Sequence, residues 1–259
     1  GDMDNNRTAM NRGAFDFITK PINFEDRSVT KEKTLRHCLQ LRETLKAIRE
    51  NSILKMYVDE TVLNFMGSRE FESSLMANES IEASVVFIDI CSFTSISENE
   101  SPDVVVKLLN SYFEIMVKEI IAQGGYIDKF IGDAVMAVFR GDYHLDRAID
   151  ASLSVRSQIE RSDSLPENVT FVPRVSIGIN SGEMISGNIG SASLRRLDYT
   201  VIGDTVNTAQ RLQSAAAPGQ ILINTPAYEK VKESFNCRNV GEVILKNKAQ
   251  QMMVYEVLD

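Results

Sequence analysis

The sequence predicts an α+β fold over residues 81–259, and three observations carry that prediction. Val85-Val86-Phe87-Ile88 is a wholly apolar run short enough to be a buried strand. Tyr126 to Ile131 and Ala134 to Phe139 are two more such runs, joined by Gly132-Asp133, a pair with hairpin-turn chemistry. Pro102 to Ala122 has helical periodicity, with proline in its first turn and Gly124-Gly125 after its end. The resulting order, βαββαβ with additions, gives an antiparallel sheet rather than a doubly wound parallel one.

Ahead of that region the chain divides into two zones. Residues 1–26 read as a helix, a stop at Gly13, a short apolar strand and the turn Lys20-Pro21, too little to bury a core alone. This stretch resembles the C-terminal end of a response-regulator receiver domain, and Lys20 matches the lysine that lies near the phosphorylated aspartate. Its phospho-acceptor strand would lie upstream, together with any sensor domain. Residues 27–80 form a linker. Up to about residue 56 it lacks Gly and Pro, and Cys38, Leu41, Leu45 and Ile48 recur at spacings of three and four. That seam suits a parallel coiled coil between two chains, or an amphipathic helix lying on its own domain. A short helix and a polar connector complete the zone.

The remaining elements follow in order. A helix spans His144 to Ile159, and strands are expected at Val172 to Ile179 and Glu183 to Ile189. A helix from Asp204 to Ser214, a strand at Ile221 to Asn224 and a helix after Pro226 come next. Strands at Val240 to Leu245 and Met253 to Val257 close the chain. There is no internal repeat.

Composition narrows the function classes. The 259 residues carry a net charge of -8, so attraction to nucleic acid or an anionic membrane would need a local basic patch. No apolar run approaches the ~18 residues that span a bilayer, which argues against direct membrane insertion. Cys38, Cys91 and Cys237 are far apart and odd in number, which argues against disulfides or a zinc site and for a reducing, cytoplasmic setting.

Three segments carry the chemistry. In Phe87-Ile88-Asp89-Ile90-Cys91-Ser92-Phe93-Thr94, a carboxylate ends a buried strand, where with a nearby backbone carbonyl it can bind a hard cation or, alternatively, cap the next helix. In Lys129-Phe130-Ile131-Gly132-Asp133, Asp133 sits at the hairpin tip, a position that also suits Asp for turn reasons alone. Lys129 lies between strand apolars, a poor place for an ammonium that meets no acceptor. In Leu197 to Leu212, Asn207 and Arg211 lie four apart on one helix face, so an amide and a guanidinium can reach one anionic group or form a solvated surface.

Jointly these segments resemble the class III adenylyl and guanylyl cyclases, over about residues 81–258. The resemblance implies a ferredoxin-like cyclase homology domain working as a head-to-tail homodimer. Asp89 and Asp133 match its metal-binding aspartates, with the Ile90 carbonyl, and would hold two Mg2+ or Mn2+ ions per active site on ATP. Asn207 and Arg211 match the pair that orients ribose and stabilises charge at the α-phosphate. Lys129 and Thr200 match the purine-reading positions. Lysine donates to a ring-nitrogen acceptor of adenine, whereas guanine's N1 and N2 donors demand an acceptor such as glutamate, so ATP is favoured.

The same pairing resembles the subgroup that includes bicarbonate-responsive cyclases, which implies bicarbonate stimulation. In Lys246-Asn247-Lys248 the family's usual central glycine is replaced, and Lys248 is the favoured triphosphate ligand. Arg195 and Arg196, expected on a loop before Thr200, could also reach phosphates. His37 and His144 have no motif around them and no catalytic role is expected of either. Competing readings are a non-catalytic nucleotide-binding regulatory dimer, a guanylyl cyclase, disfavoured by Lys129, and a diguanylate cyclase, whose hairpin signature is missing at Ile131-Gly132-Asp133-Ala134.

Overall fold

The computed structural model describes residues 7–8, 10–14, 24–54, 78–162, 173–191, 196–244 and 251–259. The apolar strand and Lys20 expected near the N-terminus, the connector after residue 54, Arg195 and Lys248 lie outside these residues. The chain divides into two units, Gly1–Leu63 and Asn64–Asp259.

In the first unit, α1 (Phe24–Leu54) is one unbroken helix of 31 residues. Leu41, Leu45 and Ile48 of the apolar seam are 49%, 65% and 56% exposed, and Cys38 is exposed as well. The flanking pairs Arg36–Glu32 and Lys46–Glu50 are solvent-exposed and contribute little stability.

The second unit is built on one eight-stranded sheet in the order β2-β3-β1-β4-β6-β8-β7, with β5 pairing β4 off that path. In chain order its elements are β1 (Glu79–Ile90), α2 (Phe93–Asn99), α3 (Pro102–Ala122), β2 (Tyr126–Ile131), β3 (Ala134–Arg140), α4 (His144–Glu160), β4 (Val175–Ser191), β5 (Arg196–Ile202), α5 (Asp204–Ala215), β6 (Ile221–Asn224), α6 (Thr225–Val231), β7 (Cys237–Ile244) and β8 (Gln251–Val257). The α+β class is as expected. The sheet is mixed, because β4 and β6 run parallel while the other pairings are antiparallel.

The apolar run in β1 has a simple cause. Val86, Ile88 and Ile90 join the main core with Tyr112, Met116 and Ile120 of α3 and Ile149 and Val155 of α4. The alternate residues Ala83, Val85 and Phe87 face a second cluster with Met184, Val201 and Ala209. A strand covered on both faces loses the in-out alternation of a half-exposed one. Each large side chain so enclosed contributes roughly 1.5–3 kcal/mol.

Two expectations are corrected. The strands expected at 172–179 and 183–189 are one strand, β4, of 17 residues. Asn180-Ser181-Gly182 looks like a turn in sequence, yet these residues pair with Val85, Ser84 and Ala83. The Asn180 amide donates to the Thr205 carbonyl at 3.0 Å, so its polar side chain is held without a turn. The stretch before Thr200 is a strand rather than a loop, and Arg196 begins it. Its ladder comes from the second half of β4, with Thr200 opposite Gly187 and Ile202 opposite Ile185. Among the described residues, no helix is long and apolar enough to cross a membrane.

Candidate active site

Strand register brings Asp89 and Asp133 together. Asp89 pairs across β1 and β3 with Ala134, the residue next to Asp133, so both carboxylates reach the same end of the sheet. Asp133 follows Gly132, whose φ of 64° is a left-handed conformation open to glycine at little cost, in the two-residue turn between β2 and β3. Asp89 does not cap the next helix. The residue at the N-cap of α2 is Ser92, itself left-handed at φ 62° and making no side-chain capping bond.

Burial, reinforced by the Asp133 charge, pushes the Asp89 carboxyl up from 3.8 to about 6. Neither carboxylate forms an ion pair with a basic side chain among the described residues. Two repelling carboxylates with no protein cation between them are a donor set that suits a hard divalent ion, and Ile90 follows Asp89 as the last residue of β1. No cluster of three His, Cys, Asp or Glu side chains exists among the described residues.

Asn207 and Arg211 stand on α5, which begins after Gly203 and packs beneath β4. The approach is close: a Cβ on Gly178 would come within 2.1 Å of the Gln213 amide nitrogen and 2.3 Å of the Ala209 carbonyl oxygen. Leu212, Ala209 and Thr208 bury one side of the helix, which leaves Asn207 exposed and Arg211 half-buried. Neither side chain has a protein hydrogen-bond partner among the described residues.

Lys129 and Thr200 meet at a residue that sequence reasoning missed. The Thr200 hydroxyl donates to Asp128 Oδ2 at 2.7 Å, and Lys129 Nζ lies 3.4 Å from the same oxygen and 4.0 Å from Asp198 Oδ2. Burial raises the Asp128 pKa, opposed by the Thr200 hydrogen bond and the Lys129 charge. The available signal was the Asp-Lys pair itself: a strand lysine that needs an acceptor has one next to it. What sequence could not show is the bulge between Ile127 and Lys129 that admits Asp128 beside its neighbour.

His144 lies away from the carboxylates. Its Nδ1 is 2.9 Å from the Ser84 hydroxyl, and Ser84 is five residues from Asp89 along β1, roughly 17 Å at the rise of a strand. Burial lowers its pKa.

The mixed sheet thus carries two carboxylates at one end, and an amide and a guanidinium stand on an adjoining helix. The chain belongs to the adenylate and guanylate cyclase catalytic domain family, whose model matches residues 75–258. It is 36% identical over 183 residues to an adenylate cyclase of Anabaena cylindrica, a match that covers 67% of this chain and 36% of that protein. The chain thus spans about a third of the length of such curated relatives. Among solved structures it resembles the adenylyl cyclase CyaB of P. aeruginosa, at 33% identity and TM-score 0.67, over 71% of this chain and 97% of that one. It also resembles the guanylate cyclase domain of RhGC from Catenaria anguillulae in complex with GTP, at 28% identity and TM-score 0.63, over 70% and 98%.

Proposed function

We propose that this protein is an adenylyl cyclase that converts ATP to 3′,5′-cyclic AMP and pyrophosphate at sites shared between two copies of the chain. The observation that carries the choice of ATP is the Lys129–Asp128–Thr200 cluster. An ammonium there presents only donors, which suit the unprotonated N1 of adenine and oppose the protonated N1 of guanine. Relatives of both nucleotide preferences share the fold, so the fold leaves the base undecided.

In this reading Asp89, Asp133 and the Ile90 carbonyl hold two Mg2+ or Mn2+ ions on the triphosphate. Such ions, when bound, lower the pKa of the attacking hydroxyl and neutralise phosphate charge. Asn207 orients the ribose, so that its 3′-oxygen lies in line with the α-phosphorus. The new bond joins that oxygen to the α-phosphorus, the bond to the bridging oxygen breaks, and pyrophosphate leaves. Arg211 stabilises the charge that develops on the α-phosphate oxygens. His144 is too distant to act as a base, so the hydroxyl proton passes to solvent. Lys248 and the Arg195–Arg196 pair are proposed triphosphate contacts.

The carboxylates of one copy would serve with the purine-reading and charge-stabilising residues of the other, which makes the homodimer the active unit. The exposed seam of α1 supports a parallel coiled coil that sets the two halves and passes on signals from an upstream receiver domain. Three free cysteines support a reducing, cytoplasmic setting. Bicarbonate stimulation is part of the proposal, and equal initial rates with and without bicarbonate at fixed pH would remove it.

The direct test incubates purified protein with Mn2+ and either ATP or GTP and resolves the products by chromatography. Cyclic AMP should form, with cyclic GMP at least about tenfold slower. Predominant cyclic GMP, or no cyclic product at micromolar dimer, would contradict the reading.

A further inference from the structure

Asp128 lies outside the set of residues matched to the reaction, yet its side chain is fully enclosed, at 0% exposure. One carboxylate oxygen takes the Thr200 hydrogen bond and the Lys129 charge, while the other, Oδ1, is buried without a hydrogen-bond partner. In a regular strand neighbouring side chains point to opposite faces, so Asp128 and Lys129 could not both address β5. The bulge between Ile127 and Lys129 removes that restriction. Thr200 is fixed as well, being 6% exposed and held in the β4 ladder opposite Gly187.

A threonine hydroxyl has one hydrogen and two acceptor lone pairs. With that hydrogen given to Asp128, the Thr200 oxygen can meet a further group only as an acceptor. Adenine carries an amino donor at its 6-position and guanine a carbonyl acceptor. We infer that Asp128 is a specificity-determining positioning residue: it takes up the hydroxyl hydrogen of Thr200, so that Thr200 accepts from a 6-amino group and rejects a 6-carbonyl. The inference rests on the proposed turnover of a purine triphosphate at this site.

The test compares kcat/KM for ATP and GTP in wild type, Asp128→Ala, Thr200→Val and the double variant. Wild type should prefer ATP. Asp128→Ala should lower the ATP-to-GTP ratio about tenfold or more, because the freed hydroxyl can turn and donate to a carbonyl. In the Thr200→Val background, Asp128→Ala should leave the ratio unchanged. Equal losses for both nucleotides with the ratio intact would reduce Asp128 to a structural role and overturn the inference.

A measurement on wild type keeps the inference testable should the variants fold poorly. Purine riboside triphosphate retains N1 but lacks the 6-amino group, and it should be about tenfold poorer than ATP. Parity between the two would overturn the role given to Thr200 and Asp128. Wild type that makes no cyclic nucleotide, or prefers GTP, would sink the functional reading and this inference with it. An ATP preference that survives Asp128→Ala would sink the inference alone.

Discussion

Burial of Asp89, reinforced by the charge of Asp133, makes its chemistry measurable in the metal-free fold. A folded-state pKa near 6, above the ordinary 3.8, means that the fold favours protonated Asp89. The associated stability is fully present below about pH 4 and is lost as pH rises through about 6. Removing the charge by Asp89→Asn should therefore raise the metal-free Tm at pH 7.5 by about 2–4 °C, read by calorimetry. The same variant should lower turnover about a thousandfold and abolish the Tm increase that Mn2+ gives wild type. Metal affinity, followed by titration calorimetry, should weaken below about pH 6 as Asp89 takes up its proton. At this scale much was legible: Asp89, Asp133, Asn207 and Arg211 stand on a strand end, a hairpin tip and one helix face as their spacing implied. Asp128 was not, since its burial depends on a bulge and on a strand far along the chain.

Elements position these residues through backbone contact as much as through side chains. Gly178 on β4 lies so near α5 that a methyl group would collide with backbone atoms, which cannot rotate away. Gly178→Ala should therefore displace the helix that carries Asn207 and Arg211. Expected effects are a loss of about 2–3 kcal/mol in denaturant stability and a fall in kcat larger than any change in nucleotide binding. By contrast, a Cβ on Gly132 meets nothing within 4 Å, so Gly132→Ala should cost only the 1–2 kcal/mol of its left-handed backbone.

The same contrast explains which elements could be read in advance. Pro102–Ala122 was legible because proline and glycine bound an apolar helical stripe. β4 was not, because Asn180-Ser181-Gly182 carry turn chemistry that pairing with β1 overrides. β5 was hidden because its polar residues gain a ladder only from a strand earlier in the chain.

At the scale of the whole molecule, activity should belong to a pair of chains. The α1 seam was visible as a spacing of three and four, and in the single chain its leucines remain exposed. Leu41→Asp with Leu45→Asp should raise the protein concentration for half-maximal activity at least about tenfold, by analytical ultracentrifugation matched to assay. The Tm of the cyclase domain should stay within about a degree, because those side chains lie outside its core.

The most direct measurement of a shared adenylyl cyclase site mixes Asp89→Ala chains with Arg211→Ala chains and follows cyclic AMP formed from ATP. Each variant alone should be nearly inactive. Random pairing makes half the dimers mixed, each with one intact site of two, so an equal mixture should recover about a quarter of wild-type activity. A mixture that yields only the sum of its separate components would contradict the account.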